Sequence, residues 1–196
     1  MAIARIGVLN KLEEILKFQG NVDERALQEL LEGAPWFINP QWTILQANQT
    51  FESLRSAFER WYHNKYGMEV ITTSYRKNKK KRPDFVVLHI GRKVEIVEIK
   101  RPGHSLGNKE FERVREYIER LQQFLNDNPT FKLDFPNIHA TLICDKLNLS
   151  PTPKLAFDKL SGDGLLEKKT WEELLRDAKK VLEDFLKVYG PSGTTV

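Results

Sequence analysis

Two apolar runs with only a short Gly91-Arg92 punctuation between them constrain this chain more than any other feature: Pro83-Asp84-Phe85-Val86-Val87-Leu88 and Val94-Glu95-Ile96-Val97-Glu98-Ile99-Lys100. Runs this rich in β-branched residues, broken by turn formers, predict two consecutive strands. Side chains alternate faces along a strand, so Glu98 and Lys100 point the same way, roughly 6.8 Å apart. Charged groups are rare in such strands unless something pairs them, and a divalent cation is one counter-ion suited to an Asp and a Glu together.

Whether Asp84 joins that face depends on the connection. A two-residue hairpin turn at Gly91-Arg92 would set Asp84 opposite Ile99 and turn it away from Glu98 and Lys100. A three-residue loop, for example His89-Ile90-Gly91 with Gly91 in the left-handed conformation, would put Asp84 on the face of Ile96, Glu98 and Lys100.

The flanking sequence predicts the rest of an α/β domain. Residues 4–18 have helical periodicity, and Gly20 ends the run. Asn21 with Glu24 three residues on has capping-box spacing and opens a second helix, with Leu27, Leu30 and Leu31 buried, that Pro35 stops. Trp36 to Trp42 is an aromatic connection, with a short strand possible at 42–45. A third helix is expected over about 50–65, and Glu69–Ser74 reads as the first strand of the sheet. After Arg101-Pro102-Gly103 comes a long amphipathic helix at about 107–127. Ala140–Cys144 is then an apolar strand, parallel to the Glu98 strand because the connection crosses over a helix. Residues 147–168 are undecided, and Thr170 caps a last helix at 171–188. The expectation is a mixed central β-sheet flanked by helices, with extra helices at the N-terminus.

Arg76, Lys77, Lys79, Lys80, Lys81 and Arg82 put six cations into seven residues of a chain whose formal net charge is only +4. Such a run is either a solvated hairpin tip or a contact for a polyanion. Arg101, Lys109, Arg113 and His104 are candidates to extend the positive surface, although His104 reads better as a loop or capping residue than as a ligand. The single cysteine, Cys144, excludes an intrachain disulfide and reads as a packed small hydrophobe. No signal-peptide layout is visible, and no apolar run approaches the roughly 20 residues a membrane span needs, so a soluble cytoplasmic protein is expected. Ser/His/Asp, Cys/His zinc and phosphate-loop patterns are not seen in the sequence.

Pro83-Asp84 followed by Glu98-Ile99-Lys100 resembles the PD-(D/E)XK nuclease signature. The wider context also resembles the nuclease domain of Shedu-type anti-phage defence proteins and related C-terminal domains of bacterial ATPases. The residues concerned are Asn21-Val-Asp-Glu24-Arg-Ala-Leu27-Gln28, Ala34-Pro35-Trp36, Arg82-Pro83-Asp84-Phe85, Val97 to His104, and Thr170-Trp171-Glu172-Glu173-Leu174-Leu175. The resemblance spans about residues 21–188. It divides the chain into an N-terminal helix, 1–20, serving as linker or oligomerisation element, a nuclease-like domain, 21–190, and a tail, 191–196.

The resemblance implies a restriction-endonuclease-like core and a Mg²⁺-dependent DNA endonuclease, with Mn²⁺ able to substitute, acting in anti-phage defence. Asp84, Glu98 and the Ile99 carbonyl would hold the metal. Lys100 would act as an ammonium or as a base. Glu24 would be a third acid from the preceding helix, a role that competes with helix-end capping. Gln28 and Arg101 are possible accessory residues. DNA is the implied partner, with a regulatory or ATPase domain, fused or separate, and homo-oligomers also implied. The alternative is a nuclease-fold module that is silent or licensed by a partner, binding nucleic acid or serving assembly. The plainest reading of Glu98 and Lys100 remains a surface ladder on a half-exposed strand.

Overall fold

The computed structural model describes residues 2–17, 24–38, 42–47, 60, 63–65, 67, 85–89 and 92–189. Its elements are α1 (Ala2–Lys17), α2 (Glu24–Gly33), a single 3-10 turn (Pro35–Phe37), β1 (Trp42–Ala47), β2 (Phe85–His89), β3 (Lys93–Ile99), β4 (Ser105–Gly107), α3 (Asn108–Asp127), α4 (Pro129–Asp134), β5 (Asn137–Ile143), β6 (Lys146–Asn148), α5 (Pro151–Gly162), β7 (Leu166–Lys169) and α6 (Trp171–Tyr189).

Five strands form a mixed sheet in the order β1-β2-β3-β5-β7, and β4 with β6 forms a small parallel pair. The two pairings through β2 are antiparallel, whereas β3 with β5 and β5 with β7 are parallel. The parallel half follows from two helical crossovers, since strands running the same way need a connection long enough to return the chain.

β3 is the central strand, and Val94 through Ile99 are all buried. That continuous burial explains its nearly unbroken apolar run, because strands covered on both faces lose the alternating pattern. Even-numbered Val94 and Ile96 pack with Phe111, Val114 and Ile118 of α3 and Phe157 of α5. Odd-numbered Val97 and Ile99 face Leu9 and Leu12 of α1, Leu27 and Leu31 of α2, and Trp171 and Leu174 of α6. The N-terminal helix, set apart in the sequence reading, thus contributes two leucines to the second cluster. Thr170 caps α6 reciprocally, donating its N–H to Glu173 Oε2 at 2.7 Å while its hydroxyl accepts the Glu173 N–H at 3.1 Å.

Several expectations need correction. The strand bordering β2 on its outer side is β1, at 42–47, rather than 69–74; both edges of β2 are taken by β1 and β3. Residues 147–168, undecided from sequence, supply most of β6, all of α5 and most of β7. The expected helix at 50–65 and strand at 69–74 lie almost wholly outside the described residues, although 60 and 63–65 are helical.

The β2–β3 register pairs Phe85 with Val97 and His89 with Lys93, leaving residues 90–92 as the connection. This is the odd, three-residue loop that the site required, displaced by one position from the expected 89–91. Among the described residues of this loop Arg92 is left-handed, at φ +63°, while Gly91, expected to be so, lies outside the described residues. The strained turn is tied down by its own side chain, for the Arg92 guanidinium donates to the carbonyl oxygens of Leu133 and Asp134 at the end of α4.

Candidate active site at the end of the central strand

The β3 ladder ends at Ile99, and the chain there is fastened from three directions. Lys100 donates its N–H to the Ile143 carbonyl at 2.8 Å. Its own carbonyl accepts the indole N–H of Trp171 at 2.7 Å. Three residues on, Gly103 has φ +78°, a conformation that favours glycine, and donates its N–H to Asp145 Oδ2 at 2.6 Å. The fixed backbone sends the Lys100 side chain to Glu24 at the start of α2, with Nζ and Oε1 3.6 Å apart and the lysine side chain only 17% exposed.

Glu98 is 2% exposed and forms an ion pair with Arg113 of α3, whose side chain is 30% exposed. A carboxylate this deep is costly unless a positive group accompanies it, and the guanidinium meets that need. The sequence reading placed Arg113 on an outer positive surface; the structure turns it inward. One turn earlier on α3, Glu110 accepts the Gly107 N–H at 3.0 Å. Burial pushes the Glu110 carboxyl up, but the N–H groups of Glu110 and Gly107, together with the charges of Lys100 and Arg113, outweigh it and hold the group below the usual carboxylate range. Glu24 thus pairs with Lys100, Glu98 with Arg113, and Glu110 lies close enough to feel the charge of both cations.

Of the residues expected at the site, Glu24, Glu98 and Lys100 are brought to the same end of the sheet, although Glu98 and Lys100 send their charges to different helices. Ile99 is fully buried among the α1, α2 and α6 contacts, so only its carbonyl oxygen is suited to a cation. Gln28 is buried one turn beyond Glu24. Arg101 is half-buried, and its carbonyl accepts the His104 N–H at 3.1 Å, which makes His104 a turn residue. Asp84 and the basic run of Arg76, Lys77, Lys79, Lys80, Lys81 and Arg82 lie outside the described residues.

Arg113, Glu110, Trp171 and Asp145 were not assigned to the site from sequence. Glu110, Arg113 and Tyr117 do form one row at helical spacing beside the buried Phe111, Val114 and Ile118. An arginine beside an apolar stripe is the only cue the sequence carried for it. For Asp145 and Trp171 there was none, since each acts on backbone atoms distant in the chain.

Among the described residues, no three acidic, histidine or cysteine side chains are grouped closely enough to hold a metal ion. Glu98 still suits a hard divalent cation in chemistry, being a buried carboxylate oxygen donor that already holds positive charge. No helix among the described residues is long and apolar enough to cross a membrane.

No family profile and no curated protein matches the chain. Among solved structures, the chain is similar to an EndoMS–double-stranded DNA complex, at 13% identity over 78% of this chain and 47% of the other, with a TM-score of 0.44. It is also similar to restriction endonuclease FokI bound to DNA, at 14% identity over 91% of this chain and 30% of the other, with a TM-score of 0.35. The chain thus spans under half the length of each of these proteins.

Proposed function

We propose that this chain is a metal-dependent DNA endonuclease of the PD-(D/E)XK class with a restriction-endonuclease-like core, serving in anti-phage defence. The observation that carries this reading is the β2–β3 register. Phe85 stands opposite Val97, and one further step of the same count would set position 84 against Glu98. Directly opposed residues of an antiparallel pair share a face, with Cβ atoms roughly 4.5–5.5 Å apart, so Asp84 and Glu98 would present two carboxylates to one point. The 3.6 Å contact between Glu24 and Lys100 adds a third acid and the lysine.

In this reading Asp84, Glu98 and the Ile99 carbonyl would hold Mg²⁺ or Mn²⁺. The bound ion would supply Lewis-acid chemistry, lowering the pKa of a water and neutralising charge that develops on the scissile phosphate. Lys100, held at both backbone polar atoms, would offer a positive group to the same phosphate. Glu24 orients that lysine. The basic run from Arg76 to Arg82 leads in sequence into Asp84 and would track the phosphate backbone; neutralising about four phosphates gives a salt slope of roughly −3.6 on duplex DNA.

A second reading is favoured by the ion pairs themselves. With Glu98 held by Arg113 and Lys100 by Glu24, the site fits a module that waits for a partner, such as a fused or separate ATPase domain, before it cuts. Incubating purified protein with plasmid, linear and single-stranded DNA in Mg²⁺ or Mn²⁺ tests the proposal. Cleavage lost in Asp84→Ala, Glu98→Ala and Lys100→Ala with the fold kept supports it. Intact substrates with no binding in any metal rule it out, while metal-dependent binding without cleavage points to the licensed module.

A further inference from the structure

We propose that Arg101, Lys109, Lys146 and Lys168 form a basic rim at the carboxyl ends of β3, β5 and β7 that takes the phosphate backbone of a nucleic acid; the inference rests on the nucleic-acid part of the proposed function and not on its metal. Separate connections bring these cations to one end of the sheet. Arg101 follows β3, Lys109 lies in the first turn of α3, Lys146 opens β6 and Lys168 is the third residue of β7. Lys146 stands opposite Ser105 in the β4–β6 pair, and the Asn108 amide donates to the Ser150 hydroxyl at 3.0 Å, tying the start of α3 to that of α5. Burial pushes the Cys144 thiol up, Lys168 draws it partly back, and the Leu106 N–H of β4 reaches the same sulfur, so β7 and β4 meet around one residue. Open α/β sheets bind their ligands at this end.

The direction of Lys168 follows from the register. It is paired with Leu142, which is paired with Glu98, so the three share one face of the sheet, the face on which Leu142 packs with α3. Its neighbour Lys169 takes the opposite face, where Glu167 and Asp177 lie 3.9 and 3.8 Å from its ammonium. One lysine of this pair is neutralised inside the fold and the other is not.

The acids nearest the rim are engaged with the backbone. Asp145 accepts the Gly103 N–H at 2.6 Å, Glu110 the Gly107 N–H at 3.0 Å, and Glu173, which feels the charge of Lys168, the Thr170 N–H at 2.7 Å. Each carboxylate thus serves a turn or a helix start, and none of the four rim cations forms an ion pair among the described residues. Along the helices the pattern is the reverse: Arg115, Arg120, Lys154 and Lys187 each pair with an acid three or four positions away. Like charges left uncompensated repel one another, and a bound polyanion removes that repulsion. Lys109 and Lys146 are exposed, and Arg101 and Lys168 half-buried. Spread over four connections, they suit an extended chain of phosphates better than a single one.

Fluorescence anisotropy of the full chain with a labelled DNA duplex, in EDTA so that no metal takes part, tests the rim. In each of Lys109→Gln, Lys146→Gln and Lys168→Gln the slope of log affinity against log salt should flatten by about 0.9, while Lys180→Gln, at an exposed position of α6, should leave it unchanged. A measurement on the wild type covers a variant that fails to fold: the duplex should shield Lys109, Lys146 and Lys168, but not Lys180, from acetylation read by peptide mass spectrometry. Duplex binding with the wild-type slope in all three rim variants, or equal flattening in Lys180→Gln, overturns the rim alone. Polyglutamate of equal charge bound as tightly as the duplex also overturns it and assigns the surface to an acidic protein. Absence of binding to duplex and single strand at low salt overturns the nucleic-acid reading with it.

Discussion

The indole N–H of Trp171 donates to the main-chain carbonyl of Lys100 at 2.7 Å, joining the first residue of α6 to the residue just past the end of β3. The two are 71 residues apart in sequence. Trp171 is 1% exposed, so its ring packs into the cluster under α1 and α2 while its single polar atom reaches the site. Removing that donor should loosen Lys100 before it loosens the fold. Trp171→Phe should cost about 1–3 kcal/mol of stability, the expected penalty for a buried acceptor left without its donor. Denaturant unfolding measures that cost, and DNA cleavage by the same variant should fall further than the stability loss explains.

Breaking the Glu98–Arg113 pair one side at a time should be worse than breaking both. Arg113→Met alone strands a charge deep beside α3, for which about 3–5 kcal/mol is the ordinary penalty. The double variant Glu98→Gln with Arg113→Met should recover part of that loss. A double-mutant cycle in urea gives the coupling, and additive losses would show that the two residues stabilise the fold independently.

Acid should weaken α6 through its cap. The Thr170 N–H, then the Thr170 hydroxyl, hold the Glu173 carboxyl below its ordinary value of 4.5. A carboxyl lowered in the folded state contributes stability above its unfolded pKa and loses it as pH falls through the folded one. Thr170→Ala should therefore cost about 1 kcal/mol at neutral pH. That difference from the wild type should shrink as the pH drops below 4.5, as urea midpoints across the range will show.

Cys144 should be chemically silent. Burial pushes its thiol up to about 11, with Lys168 and Lys100 drawing it partly back. Its side chain is fully buried in the cluster against α3. Iodoacetamide at neutral pH should leave the native protein unmodified and alkylate it in denaturant, with intact mass as the readout.

Much of the fold was legible in the sequence because local chemistry and tertiary context agree there. The 108–127 helix shows its apolar stripe openly, Thr170 announces the cap of α6, and the parallel pairing of β3 with β5 follows from the helix between them. Segment 147–168 was opaque for a physical reason. β6 and β7 are three and four residues long, too short for a periodicity to register, and α5 begins with two prolines and carries only one buried residue, Phe157. β1 was half seen, and its role as the partner of β2 was missed, because strand order is decided by which edge is open and not by proximity in the chain. At the site, the odd β2–β3 loop was anticipated as a condition, but Arg92 in the left-handed position was not, since its turn is stabilised by contacts with α4 far along the chain. Arg113 was misread for the same reason: its helix position permitted either an outward or an inward role, and only the buried Glu98 decides it.

Anomalous scattering from crystals soaked in Mn²⁺ tests the central claim most directly, because it locates the ion without assuming any activity. The account predicts a peak bonded to the Glu98 carboxylate and to Asp84. A crystal with no ordered Mn²⁺ at the end of β3 would contradict it.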